Sequence, residues 1–124
     1  MSHSSIPEDV QDFIRRYVDS IGQLEALLFL RAHPNASWDA VTVANQLYAP
    51  KEEIIRALAQ LCADGFLTAE ADSYRYHCSD QQKEKVDRLA EAYARHLIPI
   101  TNLIHAKPRR IREFSDAFRF KKER

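Results

Sequence analysis

Apolar residues recur at helical spacing along most of this chain, and only one stretch alternates with a period of two. Val10, Phe13, Ile14, Tyr17 and Ile21 make one wide apolar face of a helix that starts near Pro7. Ser5 and Glu8 there have capping-box spacing, and Pro7 suits a first turn. Ser20 and Gln23 repeat the spacing and open a second helix with Leu24, Leu27, Leu28 and Phe29, in which Gly22 is a weak point; Pro34 lies just past its end. Asn35-Ala36-Ser37 reads as a loop. Ser37 is then the N-cap of a short element led by Trp38, with Ala40, Val43, Ala44 and Leu47 on one face. After Tyr48-Ala49, Pro50 sits at the first position of a helix carrying Ile54, Leu58 and Leu61, and Gly65 stands where a left-handed residue ends it. Phe66–Glu70 and Tyr74–Cys78 are strands of a β-hairpin, and the Asp72-Ser73 pair suits its turn. Ser79 and Gln82 cap a long helix with Val86, Leu89, Ala90, Tyr93, Leu97, Ile100 and Ile104 on one broad face, kinked at Pro99. A last short helix follows Pro108, with Ile111, Phe114 and Phe118 among Arg109, Arg110, Arg112 and Arg119.

With 124 residues, 45% apolar and 29% charged, one folded unit is expected. It divides into an N-terminal helix (1–19), a central part (20–78) and C-terminal helices (79–124). Net charge is zero but unevenly spread. Residues 1–106 hold 10 Lys and Arg against 15 Asp and Glu, and residues 107–124 hold 8 against 3. An acidic body therefore ends in a basic tail. No apolar run approaches the roughly 20 residues of a membrane helix. The first residues have neither a basic nor an apolar leader region, so a cytoplasmic location and no membrane partner are expected.

The order helix, short helix, tight turn, helix, Gly, hairpin is that of a helix-turn-helix followed by a wing. The expected fold is mainly α with a small two-stranded hairpin. Residues 20–78 resemble the winged helix-turn-helix of MarR- and PadR-type bacterial transcriptional regulators. Over nearly its full length the chain also resembles small bacterial winged-helix proteins of the regulator type. The matching stretches are Gln23-Leu24-Glu25-Ala26-Leu27-Leu28, Trp38 and Phe114-Ser115-Asp116-Ala117-Phe118. The resemblance implies double-stranded DNA as partner, and helices outside the winged core that form a homodimer.

In such folds the helix after Pro50 enters the major groove. Its core face being Ile54, Leu58 and Leu61, the outward face is Lys51, Glu52, Glu53, Arg56 and Gln60. Arg56 suits guanine, Gln60 adenine, Lys51 a phosphate, and a carboxylate such as Glu52 can accept from cytosine. The wing offers Arg75 beside Glu70 and Asp72. Against DNA stands the charge: residues 20–78 hold four cations and seven acids. The alternative is a winged-helix module that docks a regulatory protein instead. The basic tail has two readings as well. Arg109, Arg110, Arg112, Lys121 and Lys122 would lie along phosphates, or Ile111, Phe114 and Phe118 would pack on the chain itself, a dimer mate or a partner. Phe13, Tyr17, Tyr93, Leu97, Ile100 and Ile104 are the expected dimer contacts.

Enzyme chemistry finds no footing. The two glycines, Gly22 and Gly65, exclude Gly-rich phosphate loops, and no nucleophile elbow, HExxH or paired-carboxylate spacing occurs. No cofactor or metal is expected. Cys62 with His77-Cys78 is the nearest approach to a ligand set, but adjacent strand residues point to opposite faces. Cys62 reads as a small buried hydrophobe.

Overall fold

The computed structural model describes residues 6–106. Six helices are found there: α1 (Glu8–Tyr17), α2 (Ile21–Ala32), α3 (Ala40–Leu47), α4 (Lys51–Ala63), α5 (Asp80–Arg95) and α6 (Leu97–Ala106). Three short strands accompany them, β1 (Trp38–Asp39), β2 (Leu67–Glu70) and β3 (Ser73–Tyr76), in an antiparallel sheet of order β1-β3-β2. Helix, strand, two helices, then two strands over 21–76 is a winged helix-turn-helix, mainly α as expected.

Local signals explain most boundaries. The Ser20 side chain accepts from the Gln23 N–H at 3.1 Å, and Ser79 from the Gln82 N–H at 3.2 Å, so two of the three expected caps form. The third partner, Ser5, lies outside the described residues. Pro7 is the N-cap of α1 rather than part of its first turn, and Ile21 belongs to α2. Helix α4 ends in a Schellman motif. Gly65 at φ +91° sends its N–H to Cys62 C=O, and Phe66 N–H reaches Leu61 C=O. Both bonds are 3.0 Å.

Three further expectations change. Trp38 does not open a helix capped by Ser37. It pairs with Tyr74 in β1, and Asp39 caps α3 by accepting from Thr42 N–H at 2.9 Å, so the sheet has three strands. Thr42 also holds the Asp39 carboxyl below the usual carboxylate range. The hairpin turn is Ala71-Asp72, because Glu70 pairs with Ser73. Ala71 takes φ +55°, which a two-residue turn asks for and a Cβ resists. Finally, the long C-terminal helix is broken at His96 rather than kinked at Pro99. His96 caps α5 in a non-helical conformation, and Pro99 falls in the first turn of α6, where its missing N–H costs nothing.

One core joins all the helices. Leu24, Leu27 and Leu30 of α2 meet Ile54, Leu58 and Leu61 of α4, and Val10, Ile14, Val86, Leu89, Ile100 and Ile104 close the other side. Full burial of each such side chain contributes about 1.5–3 kcal/mol. Phe13, Tyr17 and Phe66 form an aromatic trio with centroids 5.1–5.4 Å apart, tying α1 to the end of α4. Gln23 is the one polar side chain in this core, 3% exposed, among the described residues. Its amide donates to Tyr17 C=O at 2.8 Å and accepts from Asp19 N–H at 2.9 Å, bracing the α1–α2 link. No helix among the described residues is long and apolar enough to cross a membrane.

Candidate functional site

Helix α4 has two faces. Ile54, Ala57, Leu58 and Leu61 point into the core. Lys51, Glu52, Ile55, Arg56 and Ala59 are exposed, at spacing i, i+1, i+4, i+5 and i+8. These five make one continuous stripe over the N-terminal two turns. Three of the expected readers, Lys51, Glu52 and Arg56, are therefore brought together on one surface. Neither Lys51 nor Arg56 forms an ion pair within the described residues.

Two members of the expected face leave it. Gln60 is half-buried and donates to Asp64 Oδ1 at 3.2 Å, one turn on and away from the N-terminal stripe. Glu53 is half-buried as well, and its carboxylate lies so close over Gly22 that a Cβ there would collide with it. Gly22 thus gives room for Glu53 beside the first turn of α2, where the helix dipole favours a negative charge. One of the seven acids counted against DNA is turned aside.

The turn before α4 adds residues that sequence reasoning missed. Tyr48 caps α3 in the left-handed region (φ 55°, ψ 43°), and its side chain is 96% exposed. Ile55 is 45% exposed at the centre of the stripe, and Val41 of α3 is also exposed. The signal for Ile55 is present in the sequence. Of two adjacent isoleucines, only one can share a face with Leu58 and Leu61.

Arg75 stands apart on β3, exposed and opposite Thr68, with Glu70 on the same strand pair. It too makes no ion pair among the described residues. The neighbouring strand residues turn inward. Tyr76 is buried, and its hydroxyl, like Trp38 Nε1, has no hydrogen-bond partner among the described residues. Burial pushes both the Tyr76 hydroxyl and the nearby Cys78 thiol upward in pKa. No group of three His, Cys, Asp or Glu residues able to hold a metal occurs among the described residues.

The expected dimer contacts divide differently. Phe13, Ile100 and Ile104 are buried within the chain, Phe13 against Tyr17 and Phe66, so they present no surface to a second copy. Tyr17 is half-buried in the same trio. Tyr93, also half-buried, donates to Glu25 Oε2 at 3.2 Å, and burial with that carboxylate raises its pKa. Leu97 is 49% exposed and its neighbour Ile98 64%. The tail residues Arg109, Arg110, Arg112, Lys121 and Lys122, and the apolar residues Ile111, Phe114 and Phe118, lie outside the described residues.

An open groove of about 230 Å³ between the start of α1 and the end of α5 is lined by Pro7, Val10, Arg88, Glu91, Ala92, Arg95 and His96. Its arginines are already paired, Arg88 with Asp9 through two bonds and Arg95 with Glu91 at 3.5 Å.

No family model and no curated protein sequence matches the chain. Among solved structures, the transcriptional regulator Tm0710 from Thermotoga maritima is similar, at 17% sequence identity over 93% of this chain and 80% of that one, with a TM-score of 0.49.

Proposed function

We propose that this chain is a DNA-binding regulator of the winged-helix kind, with α4 entering the major groove. The observation that carries the reading is the exposed α4 stripe. A helix N-terminal half that carries Lys51 and Arg56, neither held in an ion pair among the described residues, is what a groove-reading helix requires. Arg56 would address guanine, Lys51 a phosphate, and Glu52 a cytosine amino group. Arg75 on the wing and Arg109, Arg110, Arg112, Lys121 and Lys122 in the tail would add backbone contacts that are blind to sequence. Pairing of two copies through Leu97 and Ile98 at the α5–α6 break would set two reading helices on successive grooves.

A second reading has its own support. Val41 of α3 and Tyr48 in the turn before α4 are exposed, and the wing carries Glu70 and Asp72 with its single cation. A regulatory protein docked on the helix-turn-helix would use such a surface without touching DNA.

The test is anisotropy of labelled duplexes, including the chain's own upstream DNA, at low and near-physiological salt. Sequence-selective binding that persists at the higher salt supports DNA reading. Removal of residues 107–124 should then flatten the salt dependence by about 0.9 in log–log slope for each phosphate that the tail had neutralised. Binding that is absent, or that vanishes with salt and with the tail, overturns DNA reading in favour of the protein partner.

A further inference from the structure

Ile55 has no structural reason to be where it is. Its neighbour Ile54 and the next-turn Leu58 are fully buried, whereas Ile55, about 100° around α4 from Ile54, stands 45% exposed. A β-branched side chain left this exposed gains only part of its possible burial, has no place in the core cluster, and forms helix less readily than the Lys, Glu or Arg around it. Its surroundings are specific. Lys51 and Glu52 lie one turn before it, Arg56 follows it, and Ala59 lies one turn after it, all exposed. The stripe thus alternates charged hydrogen-bonding groups with apolar ones.

The floor of a DNA major groove has the same character. Guanine offers two acceptors there, cytosine a donor, and thymine an apolar group, its C5-methyl. We infer that Ile55 is a specificity-determining residue that packs on the C5-methyl of a thymine, between the bases addressed by Glu52 and Arg56. This rests on the DNA-binding reading and adds to it the base class at the centre of the site. Ala59, smaller and on the same line, extends the apolar contact toward the next base step.

The experiment starts from duplexes that the full chain enriches from a randomised pool. In the best of them each thymine is replaced in turn by deoxyuracil, which removes the methyl and leaves base pairing intact. Affinity is measured for the natural chain and for Ile55→Ala. This substitution falls outside the core, and the variant's fold is checked by circular dichroism. One thymine per half-site should respond. Deoxyuracil there should weaken the natural chain about fourfold, the worth of one buried methyl. Ile55→Ala should bind both duplexes with the same reduced affinity. If no thymine responds, or if Ile55→Ala still distinguishes thymine from deoxyuracil, the inference is overturned while DNA binding stands. If no duplex is enriched at all, the DNA-binding reading falls first. If Ile55→Ala fails to fold, Ile55→Val, one methylene smaller, should narrow the preference for thymine over deoxyuracil, and an unchanged preference overturns the inference.

Discussion

The cations of α1 and α2, with Arg88 and Arg95 of α5, form one flank, and those of the α4–β3 flank are used in the opposite way. Arg15 pairs with Asp12, Arg31 with Asp87, Arg88 with Asp9 and Arg95 with Glu91, while Arg16 lies over the Tyr17 ring. Lys51, Arg56 and Arg75, like Lys83 and Lys85 at the start of α5, make no ion pair among the described residues. The division is contiguous along the chain, since these five are all the cations from residue 51 to 85. On the first flank Arg31–Asp87 and Arg88–Asp9 hold separate helices together. On the second the cations carry no ion pair among the described residues. Net charge alone hides this, because an acid that pairs with Arg88 says nothing about the surface around Arg56.

The sharpest way to break the comparison is at the polar group engaged most completely. Gln23→Ala leaves the Tyr17 carbonyl and the Asp19 N–H without their buried partner. Each orphaned group costs about 1–3 kcal/mol, so urea denaturation should show a loss of about 3 kcal/mol. A loss under about 1 kcal/mol would mean that water or a neighbour replaces the amide. This flank would then depend less on its polar bonds than the geometry states.

The matching change on the other flank is Lys51→Ala with Arg56→Ala. Stability should stay within about 0.5 kcal/mol, because neither side chain gives up an ion pair. Affinity for a selected duplex should fall at least about thirtyfold, roughly 2 kcal/mol, from one bidentate base contact and one phosphate. The reverse pattern, a stability loss with unchanged DNA affinity, would abolish the division between the flanks.

A smaller effect lies in the wing. Ala71 holds φ +55° in a two-residue turn. Ala71→Gly removes the clash of its Cβ and should stabilise the chain by up to about 1 kcal/mol, read as a raised denaturation midpoint. DNA affinity should not change, since Ala71 has no part in the proposed reading surface.

These contrasts also show what the sequence made legible. The buried face of α4 follows from Ile54, Leu58 and Leu61, and with it the exposure of Lys51, Glu52 and Arg56; periodicity is a local property and survives folding. The caps at Ser20 and Ser79 are equally local. What escapes is set by distant partners. β1 is two residues long and becomes a strand because β3 pairs with it. Glu53 leaves the outer face because Gly22, on another helix, makes room for it. Gln60 bonds to Asp64, an ordinary helix neighbour that competes with any base. Phe13 faces inward because Phe66, far along the chain, completes its ring cluster. A periodic apolar stripe alone does not say whether its cover comes from the same chain or a second one.

The smallest effect separates the flanks by pH. The Arg88 guanidinium hydrogen-bonded to Asp9 holds that carboxyl below the usual carboxylate range. A carboxyl whose folded pKa is depressed stabilises the fold above its unfolded value and loses that contribution as pH falls through the folded one. Asp9→Asn should therefore be slightly less stable than the natural chain at neutral pH, and the gap should close below about pH 4. Thermal midpoints of both proteins from about pH 7 to about pH 2 measure it. Both groups are half-exposed, so added salt should narrow the neutral-pH gap. DNA affinity at neutral pH should be the same for the two, since Asp9 and Arg88 pair with each other and have no part in the proposed reading surface. A gap that persists unchanged down to the acid end would assign the difference to packing of the α1 N-terminus rather than to the ion pair. A change in DNA affinity would show that the two flanks are coupled, which nothing in their separate bonding networks requires.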